Sequence, residues 1–193
     1  MEYDNTLRKV IEFHGHVCPG LAYGYRAAQV ALRELGDRSE DEEIVAVVEN
    51  DSCSVDAIQV MTGCTFGKGN LIFRDFGKQV YTFFKRSTGK GLRISVDYTP
   101  TESPEDKKAW ERYLSGERST DVVKRVGELK ERKVEEILGA DEQQILSIHE
   151  VEAEPPPMAR IHPSLRCEKC GEKVMSSRIR EDKGRKLCIP CSE

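Results

Sequence analysis

The sequence contains no apolar run approaching the roughly twenty residues that a membrane-spanning helix needs. It also lacks a positively charged start followed by an apolar stretch, the pattern of a secretory signal, because the segment from Met1 to Asn5 is polar and acidic. The net charge is only −4, which gives no general attraction to nucleic acid or to an anionic membrane. We therefore expect a cytoplasmic protein with no membrane partner.

The chain does have the length and composition of a folded protein. Its 193 residues, 38% of them hydrophobic, suffice for one medium-sized domain and a small appendage, but not for two full-sized domains. Pro155, Pro156 and Pro157 mark a stiff linker. We predict a mixed domain of helices and strands over residues 1–154, a proline-rich linker over residues 155–163 and a small C-terminal unit over residues 164–193.

Apolar periodicity and turn residues predict the elements of the large domain. Leu7, Val10 and Ile11 repeat at helical spacing, and Gly15 can end this first helix. Pro19 favours the start of a second helix, which Gly36 follows. The remaining predicted elements are strands over residues 44–48, 79–85, 92–98 and 145–151, a loop over residues 63–70, and helices that begin near residues 52, 103 and 120.

Seven cysteines point to metal or redox chemistry, because structural disulfides are rare in the cytosol. Four of them form two C-x-x-C pairs separated by seventeen residues: Cys167, Cys170, Cys188 and Cys191. This spacing is typical of a tetrahedral zinc site. Four thiolate ligands leave no open position for catalysis, so we predict a structural zinc finger. Two disulfides or a redox pair are the alternative interpretation.

The basic residues between the two cysteine pairs raise the question of nucleic-acid binding. Glu172, Glu181 and Asp182 interrupt the basic residues, and no aromatic side chain is present there to stack on bases. We therefore favour a solvated face over a nucleic-acid interface.

The segment over residues 13–20 concentrates metal-binding side chains. His16 and Cys18 lie at the junction of the first two predicted helices, where the positive end of the second helix favours the thiolate form of Cys18. Cys53 lies near the start of the third helix, and Cys64 opens the glycine-rich loop after it. If these elements pack together, the two regions can form a second metal site with a position open to water or substrate.

Simpler roles remain open for some of these residues. A single cysteine commonly acts as a small buried hydrophobic side chain, which is the alternative for Cys53 and for Cys64. His14 falls on the apolar face of the first helix, where we expect a core or metal-supporting histidine rather than a ligand.

Three segments, residues 13–20, 51–59 and 63–71, resemble the E-subunit family of formylmethanofuran dehydrogenase in order and spacing, and the similarity covers roughly residues 6–139. The resemblance implies a thioredoxin-like α+β domain, with a mixed sheet flanked by helices, and a homodimer. Some members carry a C-terminal zinc finger. Some are associated with molybdenum or tungsten formylmethanofuran dehydrogenase, which fixes carbon dioxide as a formyl group in methane-forming archaea.

Carried over position by position, the resemblance places the candidate metal or active-site cluster at His16, Cys18, Cys53 and Cys64. The leading hypothesis is a homodimeric, metal-binding accessory subunit or metal-handling protein of anaerobic one-carbon or molybdenum-enzyme metabolism. It would hold a structural zinc and a second metal of unidentified kind, with a molybdenum or tungsten enzyme as partner. The alternatives are an enzyme that uses a metal or a thiolate at His16 and Cys18, and a zinc-finger regulator that binds nucleic acid or polymerase.

Overall fold

The computed structural model describes residues 3–98 and 102–193. The chain forms two compact units, Met1–Met158 and Ala159–Glu193. The division falls after the three consecutive prolines, and the exact domain limits given above stay a prediction. Within the described ranges, no helix combines the length and the apolar character needed to cross a membrane.

The elements of the large unit follow the sequence pattern closely. Its helices are α1 (Asn5–His14), α2 (Pro19–Leu35), α3 (Ser54–Thr62), α4 (Pro104–Leu114), α5 (Thr120–Gly139) and the single turn α6 (Glu142–Ile145). Its strands are β1 (Ile44–Val48), β2 (Leu71–Phe73), β3 (Val80–Lys85), β4 (Gly91–Val96) and β5 (Leu146–Val151). Strand β2 is absent from the sequence prediction, because three residues are too few to show the alternation of a strand.

The five strands form one mixed sheet in the order β2-β1-β3-β4-β5. Strands β1 and β2 run parallel, whereas the other neighbours are antiparallel. Every residue of the apolar strand β1 is buried, as expected of a central strand. The sheet thus combines one parallel β1-α3-β2 unit with the antiparallel strands β3, β4 and β5, and the described residues between β2 and β3 contain no helix, where a thioredoxin fold has one. The predicted α+β class, with a mixed sheet flanked by helices, is confirmed.

Helices α1, α2 and α3 pack together and bring their ends into one region. Leu7 and Val10 of α1 are buried in a cluster with Leu21 and Tyr25 of α2 and Met61 of α3. This packing follows from the apolar spacing of α1, which leaves one continuous face to cover. As a result, the C-terminal end of α1 lies beside the N-terminal ends of α2 and α3.

A glycine sets the distance between α2 and α3. A Cβ atom added at Gly24 would lie 2.1 Å from the backbone oxygen of Ser54, so only glycine permits this approach. Helix α2 is also fixed at a second point: the Nη1 atom of Arg26 donates hydrogen bonds to the backbone oxygens of Ile137, Leu138 and Ala140 at the end of α5, at 2.7, 3.1 and 2.9 Å.

The hairpin of α4 and α5 has its own small core and a buried carboxylate. Ser103 and Asp106 form a capping box at the start of α4. The carboxylate of Asp106 also pairs with Arg125 and Arg132 of α5. The start of α4 is therefore joined to α5 by charge as well as by apolar packing.

The small unit contains two short hairpins and a final helical turn. Its elements are β6 (Ser164–Arg166), β7 (Lys173–Met175), a 3₁₀ turn (Ser176–Arg178), β8 (Ile179–Asp182), β9 (Arg185–Cys188) and α7 (Ile189–Ser192). Strand β6 pairs with β7, and β8 pairs with β9. Its buried side chains are Cys167, Leu187 and Cys188, a core too small to stabilise such a unit alone.

Candidate functional site

The small unit gathers four thiols. The sulfur atoms of Cys167, Cys170, Cys188 and Cys191 all lie within 4.8 Å of one another. The first pair follows β6, and the second pair spans the end of β9 and the start of α7. Gly171, with φ +77°, permits the tight turn after the first pair, in which its N–H donates to the backbone oxygen of Cys167 at 2.9 Å.

Backbone donors prepare this group for a cation. The N–H groups of Cys170 and Cys188 lower the pKa of the Cys167 thiol to about 6, and the latter lies 3.3 Å from the sulfur. The neighbouring thiols raise the pKa of Cys170 and Cys191, so in the absence of a cation Cys167 is the residue favoured as a thiolate. Four sulfur donors at matched turns fit a zinc ion, for which thiolate is a preferred ligand. These four residues would hold that ion, and its role there would be structural.

The large unit contains a second group of donors at the junction of α1 and α2. The ligand atoms of His14, His16 and Cys18 lie within 4.8 Å of one another. The rings of His14 and His16 have centroids 4.5 Å apart, and the Nε2 atom of His14 is 3.9 Å from the Cys18 sulfur. Two nitrogen donors and one sulfur donor suit zinc or another borderline-soft metal.

Helix ends hold two of these three side chains in place. His14 is the last residue of α1, and Gly15 ends that helix with φ +92°. Cys18 is the N-cap of α2, and its sulfur accepts a hydrogen bond from the N–H of Leu21 at 3.4 Å. His16 lies in the short connection between the helices and is exposed.

A carboxylate from α3 orients His14. The Nδ1 atom of His14 lies 2.7 Å from the Oδ2 atom of Asp56, in the first turn of α3. Donation of the Nδ1 hydrogen to this carboxylate leaves the Nε2 lone pair free on the side of Cys18. A histidine held in this way by a carboxylate is typical of metal sites.

The sequence pattern favours a supporting role for His14 and gives Asp56 no role. The structure instead brings His14 into the donor group and Asp56 behind it. The sequence does contain a pattern that marks His14 as a third donor, because His14, His16 and Cys18 occur at every second position. No local signal marks Asp56 as its partner, because 42 residues separate the two.

The expected thiolate at Cys18 does not follow from the helix end alone. Burial raises the pKa of the Cys18 thiol above its ordinary value, the Leu21 N–H partly offsets this, and the neighbouring Cys53 raises it further. The effect of burial therefore exceeds that of the helix N-terminus. A bound cation would reverse this balance, because a metal ligand sulfur is deprotonated.

The structure separates the two remaining candidates. Cys53 is the residue before α3 and contacts Cys18, but it lies outside the group of three donors. Cys64 is completely buried, and its thiol donates to the backbone oxygen of Ile44 at 3.4 Å. Burial raises the pKa of the Cys64 thiol to about 11. Of the four predicted residues, His16 and Cys18 meet, Cys53 lies beside them, and Cys64 belongs to the core; their roles as ligands stay predictions.

Two family models match this chain. Residues 13–147 match the model described as FmdE, molybdenum formylmethanofuran dehydrogenase operon. Residues 162–193 match the prokaryotic dksA/traR C4-type zinc finger. The donor group at α1 and α2 and its Asp56 partner lie in the first matched range, and the four clustered thiols lie in the second.

Two individual proteins are also similar. A protein of Archaeoglobus fulgidus, named a probable S-adenosyl-L-methionine-binding protein, is 34% identical over 195 residues, which is 96% of this chain and 52% of that protein. The chain thus spans about half the length of this curated relative. A crystal structure of a tungsten formylmethanofuran dehydrogenase FmdE-like protein from Syntrophus aciditrophicus has a TM-score of 0.61 and 24% identity, covering 96% of this chain and 89% of the other. At this identity the likeness shows a shared fold.

Proposed function

Because this chain belongs to the FmdE family and ends in a dksA/traR-type C4 zinc finger, we propose that it is a metal-dependent accessory protein with a second metal site at His14, His16 and Cys18. The observation that carries this proposal is the convergence of these three donors within 4.8 Å. The contact of His14 with Asp56 at 2.7 Å supports it.

The two sites would differ in chemistry. Four thiolates enclose a zinc ion and give it a structural role. Three protein donors leave a position open, and a metal bound there supplies Lewis-acid chemistry to water or to an oxygen-containing ligand. The residues of this chain would bind and orient the ion: His14, held by Asp56, and Cys18, held at the start of α2, fix two donors, while the exposed His16 contributes the third.

The biological setting is also a proposal. The family description and the printed name of the Syntrophus protein support a role beside a molybdenum or tungsten formylmethanofuran dehydrogenase. In that role the chain would act as a homodimeric accessory or metal-handling component of anaerobic one-carbon metabolism, and the zinc finger would serve for docking or for bracing the dimer.

Metal content measured on the full chain tests the second site. Protein purified anaerobically should contain about two metal ions per chain, and His16→Ala or Cys18→Ser should retain about one. His149→Ala on β5 and Cys64→Ala in the core are matched controls that should keep both ions. Circular dichroism would verify that each variant folds. Only one ion per chain in the unmodified protein would refute the second site.

The archaeal relative supports a second candidate function, binding of S-adenosylmethionine by the large unit. The match covers 96% of this chain, so it includes at least nearly all of the large unit. The structural observation in favour is a pocket of about 200 Å³ that borders Asp56. Titration calorimetry with S-adenosylmethionine tests it, and the absence of binding at millimolar ligand would refute it.

A further inference from the structure

A pocket adjoins the second metal site. Its volume is about 200 Å³, and it lies where the parallel strands β1 and β2 end, since its lining includes Val48 and Phe73, the last residues of the two strands. The carboxyl ends of parallel strands are a common place for ligands in α/β sheets. Asp56 connects the two features, because it lines the pocket and also contacts His14.

Aromatic side chains form part of the pocket and remain exposed. Phe66, in the loop after α3, has 70% of its surface exposed, and Phe73 has 40%. Both line the pocket. Exposed aromatic rings at a concave site offer a flat apolar surface and attract cations through the faces of the rings.

The charged side chains that line the pocket are acidic. Asp51 and Asp56 both contribute, and none of the lining residues that the structure describes is basic. Lys68 follows Phe66 by two residues, but its amino group is turned toward the backbone oxygens of Ser39 and Glu40, at 3.3 and 3.0 Å. The charge of the pocket therefore complements a cation.

Hydrogen bonds from the side chain of Asn50 hold the turn that contains Asp51 in one conformation. The side-chain oxygen of Asn50 accepts hydrogen bonds from the N–H and the hydroxyl of Ser52, at 3.1 and 2.7 Å. Its amide nitrogen donates to the backbone oxygen of Lys78 at 2.7 Å. These bonds fix the turn that carries Asp51, so that binding would require little reorganisation of the backbone.

We propose that this pocket binds a small organic cation that carries an aromatic ring. The ring lies against Phe66 and Phe73, and the cationic group faces Asp51 and Asp56. A ligand seated here lies beside Asp56, the residue that orients a metal-binding histidine. Ligand binding in the pocket does not require a metal at His14, His16 and Cys18, and it rests on the second proposed function only for the choice of the first probe.

The first test compares two probes that differ in charge. S-adenosylmethionine carries a sulfonium cation, whereas S-adenosylhomocysteine has a neutral sulfur. Calorimetry on the full chain should show at least about tenfold weaker binding of the neutral compound.

Phe66→Ala and Asp51→Asn should each weaken S-adenosylmethionine binding about tenfold. Phe76→Ala, which removes a phenylalanine exposed to 58% outside the pocket lining, should leave binding unchanged. Unchanged affinity in Phe66→Ala and Asp51→Asn would refute the pocket while leaving S-adenosylmethionine binding intact.

The second test separates the pocket from that particular ligand. Benzylamine, protonated at pH 7, and neutral benzyl alcohol are titrated into ¹⁵N-labelled protein and followed by NMR. The proposal predicts shifts around residues 50–56, 66 and 73 with the amine, much smaller shifts with the alcohol, and loss of the response in Phe66→Ala. If this pattern occurs without S-adenosylmethionine binding, the pocket stands and the second proposed function fails. If benzylamine produces no shifts at these residues and S-adenosylmethionine does not bind, the pocket proposal is refuted.

Discussion

At the scale of single residues, the contact between His14 and Asp56 is the detail on which the proposed second metal site depends. The carboxylate at 2.7 Å fixes the ring of His14 and selects the nitrogen that stays free. A carboxylate in this position is the usual partner of a histidine that binds a metal. Asp56 itself need not touch the metal to influence it.

We predict that Asp56→Asn lowers the affinity of the second site for zinc by roughly 10- to 100-fold, because an amide is a weaker acceptor for the ring N–H than a carboxylate. Competition with a chromophoric chelator measures this affinity on the full chain. Asp75→Asn, an exposed aspartate elsewhere, is the control and should match the unmodified protein. Equal affinity in Asp56→Asn and the control would remove Asp56 from the site.

At the scale of elements, the close approach of α2 and α3 carries the site. Gly24 faces the backbone of Ser54, the first residue of α3. Asp56, in the first turn of that helix, contacts His14 at the end of α1. A displacement of α3 would therefore move the partner of His14.

Gly24→Ala should destabilise the large unit by at least about 2 kcal/mol, because its Cβ has no room and backbone must move. The matched control is Gly127→Ala in α5, where a Cβ would meet nothing within 4 Å. That variant should gain roughly 0.5–1 kcal/mol, since alanine favours a helix over glycine. Urea unfolding measures both changes. A neutral or stabilising Gly24→Ala would contradict the close contact between Gly24 and the backbone of Ser54.

The hairpin of α4 and α5 should give the stability a dependence on acid. The guanidinium groups of Arg132 and Arg125 hold the pKa of Asp106 at about 2, whereas an unfolded aspartate has a pKa of about 3.9. The ionised form is thus favoured by folding. Its contribution is complete above about pH 4 and disappears as the pH falls toward 2.

We predict that Asp106→Asn lowers the free energy of unfolding at pH 7, and that the difference from the unmodified protein shrinks between pH 4 and pH 2. Denaturant unfolding at several pH values would show it. Glu105→Gln, at the exposed neighbouring position, should show no such trend. A difference for Asp106→Asn that stays constant over this range would argue against the ion pairs.

The bounds of most helices and strands can be predicted from the sequence, and the physical reasons can be named. The bounds of α2 follow from Pro19 and Gly36, and β1 follows from a continuous run of β-branched and apolar residues. Strand β2 is not readable, because it depends on pairing with β1 rather than on its own three residues. The positions of the Cys53 and Cys64 thiols cannot be predicted from the sequence for a similar reason. Both residues flank α3, and tertiary packing places the Cys53 thiol beside Cys18 and the Cys64 thiol in the core.

At the scale of the whole molecule, the two units should respond differently to the loss of metal. The large unit has an extensive buried core, whereas the small unit buries only Cys167, Leu187 and Cys188 among its described residues. The folding free energy of such a small unit comes mainly from its metal.

Chelation of zinc should therefore unfold residues 159–193 and leave residues 3–98 and 102–158 folded. Heteronuclear NMR of the full chain measures this: the amide signals of the tail should collapse to unfolded positions while those of the large unit stay dispersed. Cys188→Ser should have the same effect without a chelator. A tail that keeps its dispersed signals in the absence of metal would contradict a metal-stabilised finger.

The anchoring of α2 by Arg26 has a consequence for synthesis on the ribosome. His14, His16, Cys18 and Asp56 are all made early, but the carbonyls that Arg26 binds lie at residues 137–140, and the last strand of the sheet ends at Val151. At translation rates of about 5–20 residues per second, roughly 5 to 20 s pass between the synthesis of Asp56 and the synthesis of Val151. During that interval the nascent chain presents imidazole and thiol groups without this anchor of α2 and without the last strand of the sheet. Selective loading of the proposed second site would therefore follow completion of the large unit.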